Sequence, residues 1–515
     1  MAFFESLLTL LLVAIVFLQP SRQLMIPYPT MLAVAGLLVA TLPWAPTISI
    51  DPQLALAIFI APALFDAAYD LPPRALRENW VPLISLAAIA VILTTAAVAF
   101  VGVAFAGLPV AAAVALGAIV APPDAAAASA MLSRFALPRR TFAVLKGESL
   151  LNDAVALLIF GAAVAFSTGG NSASVVIPEL ALAAPGGLML GIALGFLYIF
   201  IAPRLAGTLG GSLFEFVATF GTWVIAERLH LPAVLAIVAY AMVIARYMPE
   251  RQTARNRIHS YSVWEATIFM FNVLAFLLMG MQARETIQQL YPKNIEFAFA
   301  FGGAILLVVV LVRLGWVMLY NRVINYLARR KLVSQEPPTV GMSLVAGWCG
   351  MRGLLTLATA IALPADFPSR DLIVFAALTV VLGTLILQGL TLGPLIRILK
   401  FGNDDSMREG ITNARMTLLD TALADLDTLE ETDEVRTLRT IYEADRKLTA
   451  NGIHPREKSE LDSLRRRSIK AKRVKLAELR RTGSIDDDVF HALEQELDWA
   501  EMAASPPDRF EIVEG

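Results

Sequence analysis

Thirteen runs of predominantly apolar residues, separated by charged or Pro/Gly-rich breaks, fill the first 400 residues of the chain. They fall at roughly 3–19, 24–43, 53–69, 80–105, 107–133, 142–167, 174–202, 209–228, 230–247, 262–283, 296–325, 339–364 and 371–399. A helix needs about 20 such residues to cross the hydrocarbon core of a bilayer. Lipid offers no hydrogen-bond partners, so the spanning backbone must satisfy itself within helices or closed barrels. Runs of this length predict an all-α membrane protein of about thirteen transmembrane helices. Charge then divides the chain. Residues 401–515 hold 18 of its 42 Lys and Arg and 26 of its 44 Asp and Glu. The expected organisation is a transmembrane domain over 1–400 and a soluble helical tail over 401–515.

The first run, Phe3–Gln19, is read as a retained helix. Glu5 stands where a secretion signal would be basic, and no small-x-small cleavage site follows at Pro20-Ser21-Arg22. Positive charge in residues 1–400 sits in separate short loops, which argues against nucleic-acid binding. Cys349 is the only cysteine, so no intrachain disulfide can form. His230, His259, His454 and His491 are scattered, and neither a metalloenzyme cluster nor a nucleotide-binding glycine loop is present. The chain does not read as an enzyme, and no cofactor is expected.

Loop charge gives an orientation, because cytoplasmic loops are enriched in Lys and Arg. The loops after the odd-numbered runs, with their flanks, hold 15 basic residues: Arg22, Arg74, Arg77, Arg134, Arg139, Arg140, Arg204, Arg246, Arg251, Arg255, Arg257, Arg322, Arg329, Arg330 and Lys331. The alternate loops hold 4, namely Arg228, Arg284, Lys293 and Arg370. The N-terminus is therefore expected outside a cell membrane, with the charged tail in the cytoplasm.

A charge at bilayer depth is costly and usually faces a cavity or a partner. The charges that fall deep in the runs are Asp66, Asp124, Glu148, Asp153, Arg313 and Arg352, whereas Lys146, Glu215 and Glu265 fall nearer run ends and are read as interfacial. In the sixth run, Glu148, Ser149, Asn152 and Asp153 are spaced three and four apart, which puts them on one broad helix face. A polar seam between helices accounts for Ser149 and Asn152. Two carboxylates exceed what such a seam needs.

The fifth and twelfth runs are interrupted at their middles, by Ala121-Pro122-Pro123-Asp124 and by Gly347-Trp348-Cys349-Gly350-Met351-Arg352-Gly353. Adjacent prolines remove two backbone donors, and three glycines in seven residues loosen the second helix. If runs 1–6 and 8–13 are inverted repeats linked by run 7, each break lies in the fifth run of its half. Paired broken helices mark the ion site of inverted-repeat transporters. Asp124 and Arg352 carry opposite charges there, suited to compensating the ends of two crossing half-helices.

At these residues the chain resembles the sodium/proton exchanger branch of the monovalent cation/proton antiporters. Gly147-Glu148-Ser149-Leu150-Leu151-Asn152-Asp153 matches the family's hallmark segment. Supporting matches are Phe65-Asp66-Ala67, Gly117-Ala118-Ile119-Val120, Pro122-Pro123-Asp124, Trp264-Glu265 with Asn272 and Gly280, Gly350-Met351-Arg352-Gly353, and Gln388-Gly389-Leu390-Thr391-Leu392. The likeness covers residues 1–400 and implies that Asp153 binds cation and proton in competition, with Asn152 beside it. Ser149, Asp124 and Asp66 match further cation-site positions, and Glu148 is expected to pair with Arg313. One departure stands out: many relatives have Thr-Asp-Pro where this chain has Pro123-Asp124-Ala125. The threonine ligand is absent, and the Pro123 carbonyl is the available substitute.

The expected function is electroneutral exchange of one sodium ion for one proton by a homodimer, serving pH and sodium homeostasis. Asn152 is neutral, which leaves one exchanging carboxylate on the sixth run. A hard cation favours the oxygen ligands present, by analogy with hard divalent ions. Potassium/proton exchange is the alternative, because the missing threonine weakens any sodium-specific argument. A channel would show a selectivity filter or charge rings, and none is found. In the tail, apolar spacing predicts helix from Arg415 to Ala450, a stop at Asn451-Gly452-Ile453-His454-Pro455, helix from Lys458 to Arg481 and a third helix to about Met502. The tail resembles the regulatory tail of bacterial members. Its basic stretch from Arg465 to Arg481 suits either anionic lipid or acidic neighbours in the tail itself.

Overall fold

The computed structural model describes residues 2–505 apart from 25, 43–50, 72–79, 125–138, 169–172, 206, 249, 291–294, 331–337, 400–405, 452–459, 483 and 485. Of the residues singled out above, Arg74, Arg77, Ala125, Arg134, Lys293, Lys331, Gly452, Ile453, His454, Pro455 and Lys458 lie outside the described residues, as do the side chains of Arg22, Arg139, Arg140 and Lys146. The chain forms two compact units, residues 1–402 and 403–514. The described residues of both are helical, with no strand.

The helices of the first unit fall on the apolar runs. They are α1 (Ala2–Leu24), α2 (Tyr28–Ala40), α3 (Pro52–Ala55 through Ala61–Tyr69), α4 (Trp80–Ile84 through Ala90–Ala106), α5 (Val110–Val120), α6 (Arg139–Thr168) and α7 (Ala173–Leu205). There follow α8 (Leu209–Arg228), α9 (Ala233–Tyr247), α10 (Ala254–Leu290), α11 (Ile295–Arg329), α12 (Val340–Trp348), α13 (Leu354–Ile361) and α14 (Arg370–Leu399). Among the described residues, six helical stretches are long and apolar enough to cross a membrane, the longest lying in α10 and α11. Large apolar side chains such as Phe100, Leu182, Met189 and Phe200 point outward, a surface that suits hydrocarbon.

Two features were not foreseen. α3 and α4 each contain a widened π turn, at Leu56–Ile60 and Ser85–Ile89. Pro62 follows the first and has no N–H for the carbonyl of Ile58, which removes one α-helical bond there. α10 is also longer than the apolar run 262–283, because polar turns extend it at both ends.

Contacts sort these helices into two groups. α2 crosses α10, and α9 packs among α3, α7 and α8; α4, α5, α6, α11, α12, α13 and α14 form the other group. The seam between them is made by α14 against α2 and α10, α6 against α3 and α9, and α13 against the π turn of α3. Apolar side chains of α6, including Leu150 and Ala154, close the seam against α3 and α9.

The second unit contains α15 (Ser406–Leu426), α16 (Asp433–Ala450), α17 (Glu460–Arg481) and α18 (Asp487–Ala503). The continuous helix expected from Arg415 to Ala450 is broken at 427–432. Thr432 caps α16, its hydroxyl accepting from the Val435 N–H at 3.3 Å, and this N-cap outweighs the apolar spacing. Arg439 ties the break together through Asp427 and Glu431, both at 3.0 Å. The basic stretch of α17 faces acidic neighbours of the same unit: Arg473 pairs with Asp498 and Glu501, and Arg480 with Asp487.

Candidate functional site

α5 stops at Val120 because the next residues cannot continue it. Pro122 and Pro123 lack the N–H groups a further turn needs, and a proline also biases the residue before it away from helix. Pro123 and Asp124 lie outside the helix. α12 stops at Trp348, and Cys349–Gly353 runs without helix until α13 begins at Leu354. The two interruptions meet. The Asp124 N–H donates to the Met351 carbonyl at 2.7 Å. Each break thereby satisfies a backbone group that the other leaves open.

The Asp124 side chain lies against Gly353, where any Cβ would run into its carboxylate. That carboxylate stands at the start of α13, where a helix favours negative charge. The cation meeting the last turn of α12 is Arg313: its Nη2 donates to the Ala346 carbonyl at 3.2 Å. Arg352, expected to compensate a helix end, is buried in the break at 1% exposure. Its backbone N–H donates to Thr384 Oγ1 on α14 at 3.0 Å, and its Nε and Nη1 have no partner among the described residues.

α6 brings the remaining groups to this crossing. Arg313 grips Glu148 through both guanidinium nitrogens, Nη1 to Oε1 at 2.6 Å and Nη2 to Oε2 at 3.2 Å, with both side chains buried. One turn later, Asn152 Nδ2 donates to the Pro123 carbonyl at 3.4 Å. Asn152 is wholly buried, and its Oδ1 has no hydrogen-bond partner among the described residues. Asp153 is buried beside it, within electrostatic reach of Asp124. No basic side chain pairs with Asp153 among the described residues. Ser149 is half-buried on the intervening turn.

The Asp153 and Asp124 carboxylates, the orphaned Asn152 amide oxygen and the Pro123 carbonyl gather acceptors at this crossing, with Ser149 one helical turn before Asp153. Such a set can hold a hard cation. Asp66 is half-buried on α3, in the other helix group, next to Phe65, whose ring packs on Tyr240 and Trp264.

Several participants had no visible role in the sequence. Met351 and Ala346 act through backbone carbonyls, which carry no signature. Thr384 is a buried hydroxyl in an apolar run, four residues before the buried Gln388, and that polar pair was the available signal. Glu215, read as interfacial, is half-buried between helices near the start of α8, and its carboxylate accepts from Ser260 of α10.

Comparison with known proteins agrees with this geometry. The family model described as "Sodium/hydrogen exchanger, transmembrane" matches residues 7–398. The chain is 28% identical to the Na(+)/H(+) antiporter ApNhaP of Aphanothece halophytica, over 92% of this chain and 91% of the relative. It is also 28% identical to the uncharacterized Na(+)/H(+) exchanger YjcE of Escherichia coli, over 92% of this chain and 94% of the relative. The sodium proton antiporter MjNhaP1 of Methanocaldococcus jannaschii superposes with a TM-score of 0.58 at 17% identity, covering 76% of this chain and all of that one. The fold is therefore that of MjNhaP1, and the chain is a multi-pass membrane protein that belongs to the transmembrane sodium/hydrogen exchanger family.

Proposed function

We propose that this chain is a secondary antiporter that exchanges sodium for protons across a membrane, with Asp153 as the group both ions share. The observation that carries the proposal is a buried carboxylate without a basic partner among the described residues, set beside an orphaned amide oxygen where two interrupted helices cross. A buried carboxylate needs compensation, by a proton or by a cation. It cannot hold both. If the protein changes the exposed side only when one of them is bound, exchange follows from competition, and no cofactor takes part.

The other groups have supporting roles. Asn152 Oδ1, Ser149, Asp124 and the Pro123 carbonyl complete the cation's oxygen shell, with Asp66 on the approach from α3. Glu148 and Arg313 form a structural pair that ties α6 to α11 and to the end of α12, while Arg352 compensates the crossing. With one exchanging carboxylate, the stoichiometry is one sodium for one proton and no net charge moves. The protein works as a homodimer in the cell membrane, N-terminus outside. Residues 1–400 form the exchange domain, and residues 401–515 form a cytoplasmic regulatory tail.

Purified protein in proteoliposomes tests this reading. Sodium added on one side should drive protons to the other, with lithium and potassium as comparison ions. Absence of cation-dependent proton movement would overturn antiport, and potassium exceeding sodium would overturn the ion assignment.

A further inference from the structure

One carboxylate outside the exchange site joins two helices by its side chain. Glu215 lies in the second turn of α8, and Ser260 lies in the second turn of α10. The Ser260 hydroxyl is 2.8 Å from one Glu215 oxygen and 2.7 Å from the other. No Lys or Arg pairs with Glu215 among the described residues. Its surroundings are aromatic: Tyr198 stacks on Phe214 at 5.4 Å, Tyr198 meets Tyr240 at 5.9 Å, and Phe216 packs on Trp264 at 4.7 Å.

The groups facing Glu215 come from four neighbouring helices. They are Tyr69 on α3, Tyr198 on α7, Tyr240 on α9, and His259 and Ser260 on α10; Asp70 and Tyr261 lie against Tyr69. Ser260 has one proton to share between two carboxylate oxygens. The ionised carboxylate accepts it at both. Once Glu215 is protonated, one oxygen becomes a donor, and the Ser260 hydroxyl must accept from it while donating to the other, so the hydrogen-bond pattern of the contact changes. The contact leads toward the exchange site. Tyr261, the next residue on α10, approaches Tyr69 of α3 at 3.4 Å between hydroxyls, and α3 packs on α6, the helix of Asp153.

We propose that Glu215 is a second proton-binding site, separate from Asp153, whose protonation through Ser260 sets one limb of the pH dependence of exchange. The proposal rests on the antiport reading. It makes Glu215 a positioning residue: it touches no transported cation and acts by switching the α8–α10 contact next to α3.

The test is the pH profile of sodium-driven proton flux in proteoliposomes, compared for wild type, Glu215→Gln, Ser260→Ala, Ser260→Thr and the double variant Glu215→Gln/Ser260→Ala. Glu215→Gln should retain exchange and lose the limb that Glu215 governs. Ser260→Ala removes a donor that favours the ionised carboxylate, so that limb should move to higher pH by about half a unit or more. Ser260→Thr keeps the hydroxyl and should keep the wild-type profile. Ser260→Ala should change nothing further when added to Glu215→Gln. The proposal is overturned if Glu215→Gln superimposes on wild type, or if Ser260→Ala shifts the profile equally with and without Glu215. Should Glu215→Gln fail to insert, the Ser260 pair decides alone, and an unshifted Ser260→Ala profile overturns the proposal. Wild type without exchange would instead overturn the antiport reading, so the two failures are distinguishable.

Discussion

The Asp124 N–H and the Met351 carbonyl, 2.7 Å apart, join two helix interruptions that lie 227 residues apart in sequence. The crossing they make holds Asp124, Pro123 and Arg352 beside α6, and the account of exchange depends on that placement.

At this crossing a Cβ on Gly353 would run into the Asp124 carboxylate. Gly353→Ala should therefore move Asp124 and reduce exchange far more than it reduces stability, since the substitution adds one methyl group. Transport in proteoliposomes and thermal unfolding in detergent, measured on the same preparation, check this. Wild-type flux from Gly353→Ala would show that the close approach is not needed.

Glu148 and Arg313 form a buried two-point pair. Removing one partner of such a pair typically costs about 3–5 kcal/mol, so Glu148→Ala should clearly lower the Tm in detergent. Gly350→Ala should weaken the same pair from a distance, because its methyl group would meet the Arg313 stem. An unchanged Tm in Glu148→Ala would contradict a structural role for the pair.

The Asn152 amide nitrogen donates to the Pro123 carbonyl, and its amide oxygen is the cation ligand of the proposed function. Asn152→Ala removes one ligand and releases the carbonyl. The apparent KM for sodium should rise by about tenfold, equivalent to about 1.4 kcal/mol. Sodium dependence of flux at fixed pH gives the answer, and an unchanged KM would remove Asn152 from the cation shell.

Much of this site was legible because its costly residues are side chains. Charges in apolar runs, the Pro122-Pro123 pair and the glycines around Met351 all mark the crossing in sequence. The spacing of Glu148, Asn152 and Asp153 marks the face of α6. What escaped was carried by backbone or by long-range packing. The carbonyls of Met351 and Ala346 have no residue signature, and the π turns of α3 and α4 leave no distinct hydropathy pattern. Glu215 was read as interfacial from its place near a run end; its contact with Ser260, 45 residues away, has no local signal. In the tail, apolar spacing concealed the break before Thr432, although a threonine followed by acidic residues was a usable start signal.

Charge balance tests the stoichiometry. With the potential clamped by potassium and valinomycin, the pH gradient at which net flux vanishes should match the sodium gradient at every voltage. A null point that moves with voltage would mean more than one proton per sodium ion and would bring Asp66 or Asp124 into the titrating set.

The central claim is that proton and cation share Asp153. The most direct measurement is sodium-driven proton flux through Asp153→Asn, in proteoliposomes where correct insertion and a normal Tm have been shown. Asparagine keeps the volume and cannot release a proton, so the account requires flux indistinguishable from protein-free vesicles. Flux at an appreciable fraction of wild type would contradict it.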